Sequence, residues 1–102
     1  MNIFKDIDFS QNKEISEILA AGKNLRIERI VSIGQVTEPD FWYDQTEHEF
    51  VIVLQGEARL LFEDGTEKHL AKGDYLEIPA HVRHRVSFTS TEPACIWLAV
   101  FF

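Results

Sequence analysis

Apolar and polar positions alternate along most of this chain, with one early exception. In residues 10–22, SQNKEISEILAAG, the apolar Ile15, Ile18 and Leu19 recur at i, i+3 and i+4. Ser10 or Asn12 stands where a helix cap belongs, and Gly22 supplies a C-terminal stop. The spacing predicts one short helix, which needs a larger body to pack against. Beyond it the period changes to two. NLRIERIVSIG sets Leu25, Ile27, Val31 and Ile33 on one face of a strand. HEFVIVLQ, ARLLFE, TEKHL, YLEIP, HRVSFT and CIWLAVFF read as further strands, separated by Gly56, Asp64-Gly65, Lys72-Gly73-Asp74, Pro79 and Thr91-Glu92-Pro93. Asp64-Gly65 predicts a two-residue hairpin turn with positive φ at both positions. Short strands with close, regular turns predict an all-β antiparallel barrel or sandwich. The chain is read as one domain, residues 1–102, with a helical segment at 1–23 and a barrel over 24–102.

The last strand is apolar on both faces. Cys95, Trp97, Ala99 and Phe101 form one, and Ile96, Leu98, Val100 and Phe102 the other. A strand on the skin of a monomer shows one polar face, so either the helix or a second subunit covers it. A homodimer is the expectation.

Bulk properties narrow the partners. The chain is 45% hydrophobic and 12% aromatic, enough for a core. A net charge of −7 repels phosphate backbones, so nucleic acid is not an expected partner. No uncharged apolar run reaches the length of a membrane span. MNIFKDIDFS brings charges at once and no apolar run follows it, so no secretory signal is read and the expected location is cytoplasmic. The lone Cys95 sits in an apolar run and reads as a buried small hydrophobe. No Gly-rich phosphate loop, zinc-spaced Cys pair or nucleophile elbow is present.

Two segments carry the chemistry. Glu49 and Gly56 are separated by six residues, and GDYLEIPAHVRH spaces Gly73, Pro79 and His84. In this order, with Asp74 after the glycine, they resemble the two motifs of the cupins, small β-barrel (jelly-roll) proteins. The resemblance implies a double-stranded β-helix barrel and a site of three His and one Glu around a divalent metal. This chain departs from that set. The first motif opens with His, one residue, His. Those positions fall on Tyr43 and Gln45, or on Trp42 and Asp44, depending on the spacer. In the second motif His81 takes the place of a Gly and Phe88 that of an Asn. Only Glu49 and His84 carry over directly.

Strand alternation sorts the neighbours. Glu49 inward brings Glu47, Val51 and Val53 with it and turns His48 outward. His84 inward brings Val86 and Phe88, and turns Arg83 and Arg85 outward. Glu49, His84, Gln45, Tyr43 and His81 are therefore the candidate metal ligands, with His81 at the mouth. Trp42, Glu47, Val51 and Phe88 are the candidate pocket residues. An imidazole, carboxylates, a phenol and an amide suit Zn, Mn, Fe or Ni. A buried carboxylate needs a partner; a metal supplies one for Glu49, and so does His84 alone. The resemblance implies a small organic substrate, an acid or a sugar, and dioxygenase, isomerase or decarboxylase chemistry. The alternative is a non-catalytic module that binds a small molecule or dimerises without a functional metal.

Overall fold

The computed structural model describes all residues, 1–102, and contains eight strands and no helix. They are β1 (Ile15–Gly22), β2 (Leu25–Ser32), β3 (Glu49–Gln55), β4 (Glu57–Phe62), β5 (Glu67–Ala71), β6 (Tyr75–Ile78), β7 (His84–Thr89) and β8 (Cys95–Phe101). Two antiparallel sheets form, with orders β1-β2-β8-β3-β6 and β5-β4-β7. They meet over one core. Val51, Val53, Cys95 and Trp97 come from the larger sheet, and Ala58, Leu60 and Leu70 from the smaller. Cys95 lies inside this core, and burial pushes its thiol up to about 12, with Glu14 adding to the shift. It packs as a small hydrophobe.

The expected helix is a strand. Ile15–Gly22 pairs with β2 along its length, from Ile15 opposite Val31 to Gly22 opposite Leu25. Asn24 turns the hairpin with φ 62°, a value asparagine tolerates. Helical spacing and two alanines lost to an available partner strand, because ladder hydrogen bonds and cross-strand packing override weak local propensity. The barrel therefore begins inside the segment read as helical. The register shifts between Ile18 and Ala20, which leaves Leu19 as a bulge in this edge strand.

The pairing of β2 with β8 sorts its two faces. Its apolar set, Ile27 and Val31, lies on the outer face of the sheet with Val100 and Ile96, where Val31 and Ile96 are buried, while Arg26, Glu28, Ile30 and Ser32 look inward beside Phe101, Ala99, Trp97 and Cys95. The outer face of the larger sheet carries Ile27, Phe50, Ile52, Leu98 and Val100, all half-buried. Part of it is crossed by the N-terminal segment, whose Ile3 and Lys5 carbonyls accept from Arg29 Nη1 at 3.1 and 2.9 Å.

Two turns differ in detail from expectation or explain a motif. Between β4 and β5 lie residues 63–66, of which 63–65 make the turn. Phe62 N–H donates to Thr66 O at 2.8 Å and Gly65 N–H to Phe62 O at 2.9 Å. Only Gly65, at φ 91°, is left-handed; Asp64 instead accepts from Thr66 N–H at 2.8 Å. This is a type I turn closed by a glycine bulge. At Gly56 the constraint is space as well as φ (77°). A Cβ there would stand 2.5 Å from Ser90 Oγ and 2.7 Å from Ala94 O, whereas nothing approaches a Cβ on Gly73.

Gly56→Ala should therefore cost about 3 kcal/mol, from a left-handed backbone and an overpacked contact together. Gly73→Ala, with the backbone penalty alone, should cost about 1 kcal/mol. Urea unfolding of both variants checks the order; equal losses would refute the packing account.

Candidate functional site

Glu49 opens β3 in the larger sheet and His84 opens β7 in the smaller one. The two sheets bring them face to face inside the barrel, with His84 Nε2 3.6 Å from Glu49 Oε1 and side-chain exposures of 5% and 11%. The imidazole is fixed from behind: Nδ1–H donates to the Val82 carbonyl at 2.9 Å. That leaves Nε2 aimed at the carboxylate. Burial pulls the His84 pKa down, but the Glu49 carboxylate and the Val82 carbonyl more than reverse it, so the ring titrates above its usual 6.5.

Tyr43 reaches the site through a backbone bridge. Its N–H donates to His84 O at 2.8 Å, and His84 N–H donates to Tyr43 O at 3.2 Å. Residues paired this way share a face, and the two rings stack 5.6 Å apart. Burial raises the Tyr43 phenol pKa, with the charges of Glu14 and Glu49 adding to it. Gln45, two residues on, also lines the cavity, and its carbonyl accepts from His81 N–H at 2.7 Å. Of the two spacings considered for the first motif, Tyr43 and Gln45 are thus the inward pair. Trp42 lies under Arg85, 5.7 Å from the ring centroid, and Asp44 holds His81 Nδ1 at 2.8 Å.

The remaining candidates divide. His81 is 64% exposed, in a left-handed turn at φ 64°, and points to Asp44 rather than into the cavity. Glu47 stands at the rim, where it accepts from Arg26 Nη1 at 3.1 Å. Val51 is core and does not line the cavity. Phe88 was expected inward and is turned out, 39% exposed beneath Arg59. The cause is a bulge: Leu60 pairs with Val86 but Arg59 pairs with Phe88, so Ser87 is an extra residue and alternation resets. Thr89 is the buried residue instead. His48 is exposed, its Nδ1 accepting from Ala80 N–H at 3.0 Å, and His69 pairs with Glu57 at the surface.

Sequence reasoning missed three charged residues that line the same cavity: Glu14, Arg26 and Glu28. Arg26 Nε bonds Glu28, and its guanidinium lies 4.2 Å from the Phe101 ring centroid. Glu14 precedes β1; its carboxylate accepts from Ser32 Oγ at 2.9 Å, and that hydroxyl accepts from Trp97 Nε1–H at 3.2 Å. Burial raises the Glu14 pKa; the Ser32 hydrogen bond opposes this, and Glu28 and Glu49 add to it. The signal for Arg26 and Glu28 was present in the alternation of LRIERIVS, once the polar set is allowed to face a cavity. The cavity measures about 240 Å³, and Leu60, Val86, Trp97 and Phe101 form its apolar wall.

The family model for the cupin domain matches residues 28–101. The chain belongs to the cupin family. No curated protein matches it. Among solved structures, this cupin is similar to a protein of Ralstonia eutropha provisionally assigned as a mannose-6-phosphate isomerase. They share 40% identity over 99% of this chain and 94% of that one, with TM-score 0.94. A cupin superfamily protein of Desulfitobacterium hafniense is 22% identical over 94% of this chain and 83% of that one, TM-score 0.79. The structure of Fe(II) HppE is 18% identical over 87% of this chain and 50% of that one, TM-score 0.70. These last two share the fold.

The fold family implies a metal, and the donor atoms test it. With Nδ1–H committed to Val82, a neutral His84 directs a lone pair at the Glu49 carboxylate, two acceptors facing across 3.6 Å. A proton or a cation between them removes the repulsion. Ligands about 2.1 Å from a shared tetrahedral ion lie about 3.4 Å apart, so the pair fits two coordination positions. Gln45 and Tyr43 line the same space with an amide and a phenol. No three His, Cys, Asp or Glu side chains converge as a ready-made cluster.

In metal-free protein, the raised His84 pKa adds stability that is fully present below about pH 6.5 and lost as pH rises through the folded-state value. Thermal unfolding in chelator between pH 5 and 9 should show this loss, and Glu49→Gln should flatten it. An unchanged slope in that variant would sever His84 from Glu49.

Proposed function

We propose that this cupin binds a small polar organic molecule, a sugar or an acid, over the Glu49–His84 pair, with a divalent cation joining the two side chains. The carrying observation is their meeting from opposite sheets with Nε2 aimed at the carboxylate. The relative from Ralstonia eutropha, whose assignment is a sugar-phosphate isomerase, supports a sugar-like ligand and isomerase-type chemistry. A divalent ion supplies Lewis-acid polarisation of a ligand oxygen. The chain's own groups do the rest. Val82 holds the imidazole in one tautomer, Glu49 and His84 can exchange a proton with a bound hydroxyl or carbon acid, and Trp97 and Phe101 wall off water. Zn, Mn, Fe and Ni are the ions that suit such mixed N/O donors.

A second reading has its own support. Two strong donors are fewer than the three protein ligands usual for a catalytic zinc. On that reading the barrel is a metal-free binding module whose His84–Glu49 pair is bridged by a proton. A second copy of the chain is proposed for the outer face formed by Ile27, Phe50, Ile52, Leu98 and Val100, which the N-terminal segment covers only in part.

Elemental analysis of tag-free protein should find about one metal per chain, lost in Glu49→Ala and His84→Ala and kept in His48→Ala. Equal content in all three variants would remove the metal from the site. The matching ion at about a hundredfold over its Kd should add about 2.7 kcal/mol, raising Tm by 10 °C or more. Protein that is metal-free yet still binds a sugar supports the second reading. For the outer face, light scattering should give a dimer mass that Leu98→Glu halves; a monomeric wild type refutes the pairing.

A further inference from the structure

The charges around the cavity set the sign of what can enter it. Three carboxylates, Glu14, Glu28 and Glu49, face one guanidinium, Arg26. That guanidinium is already engaged. Its Nε bonds Glu28, its Nη1 and Nη2 reach Glu47 at 3.1 and 3.5 Å, and the Phe101 ring lies 4.2 Å away. Glu14 is anchored through Ser32 to Trp97, both of them buried, so its carboxylate is held in place. The other cation is His84, whose side chain is 5% exposed and whose Nε2 lies 3.6 Å from Glu49, beyond a hydrogen bond. His84 and Glu49 both line the cavity and fall short of a full hydrogen bond to each other, so the pair keeps capacity for a ligand.

With the three carboxylates ionised, the balance does not favour an anion whether a proton or a divalent ion joins the site. With His84 protonated and no metal, the lining keeps one formal negative charge in excess. With a divalent ion on a neutral His84 it reaches zero. Glu47 at the mouth adds one negative charge in both cases, and the chain as a whole carries −7. Without a metal, the cation left to an entering phosphate or carboxylate is Arg26, and taking it from Glu28 or Glu47 leaves a carboxylate unpaired. Hydroxyl groups meet no such barrier, because they donate to carboxylates. The apolar wall of Leu60, Trp97 and Phe101 suits a carbon skeleton. At ~30 Å³ per water, 240 Å³ holds about eight waters, and it falls below the ~300 Å³ at which pockets for drug-sized ligands begin.

We propose that the barrel selects an uncharged polyhydroxy molecule of about monosaccharide size and rejects its phosphorylated and carboxylated forms. This rests on the reading above that the cavity binds a small polar ligand, and it narrows that reading from sugars and acids to neutral polyols.

Titration calorimetry on the native protein, with and without added zinc, tests it with mannose, glucose and mannitol, each against its 6-phosphate, and with gluconate. At least one neutral compound should bind, with its phosphate and gluconate at least tenfold weaker. Glu28→Gln, which frees Arg26, and Glu14→Gln should each narrow that ratio, on the order of tenfold. A phosphate or gluconate that binds as tightly as the neutral compound overturns this selection and leaves the ligand-binding reading intact. No binding by any of the compounds overturns both.

Discussion

A carboxylate on β3 and an imidazole on β7 can meet only if two sheets close on one another. Most of what matters in the molecule follows from that closure. The imidazole cannot turn away, because Val82 holds its other nitrogen. The carboxylate cannot retreat, because Glu49 sits between Phe101 and Ile78 in the ladder. Both side chains are buried, so each is neutralised by the other, by a proton or by an ion. The close fit at Gly56, against Ser90 and Ala94, helps keep the start of β4 and the turn before β8 in contact.

The Tyr43–His84 bridge extends the constraint to the first motif. It carries the connection between β2 and β3 across the mouth of the barrel and fixes which of two possible pairs looks inward. Tyr43 and Gln45 therefore stand on the wall of the cavity beside His84 and Glu49. A phenol and an amide there keep this wall polar without adding charge. The cavity then depends more on its carboxylates, and Arg26 is absorbed in balancing them.

Much of this was legible in the sequence. The later seven strands followed from period-two alternation and turn residues, and the spacing of Glu49, Gly56, Gly73, Pro79 and His84 pointed to the family. What failed did so for local physical reasons. Ile15, Ile18 and Leu19 have helical spacing, but a hairpin partner was available in β2. Phe88 was placed inward by unbroken alternation, and one extra residue at Ser87 turned it out. Arg26 and Glu28 were overlooked because polar residues on a strand are read as facing water, and Glu14 because its segment was read as a helix. A barrel with a working interior inverts that rule, placing Ile27 and Val31 on the outer face and Arg26 and Glu28 within.

The bulge at Leu19 has a consequence beyond the fold itself. β1 is a border strand of the larger sheet, with Ile18 and Leu19 both exposed. A straight apolar border of this kind would be a template for runaway stacking of chains into fibrils. The shift in register between Ile18 and Ala20 breaks the even spacing of its free N–H and C=O groups. An incoming strand would find its hydrogen-bond partners out of step after a few residues. The same irregularity that hid β1 from pattern reading thus guards the border against aggregation.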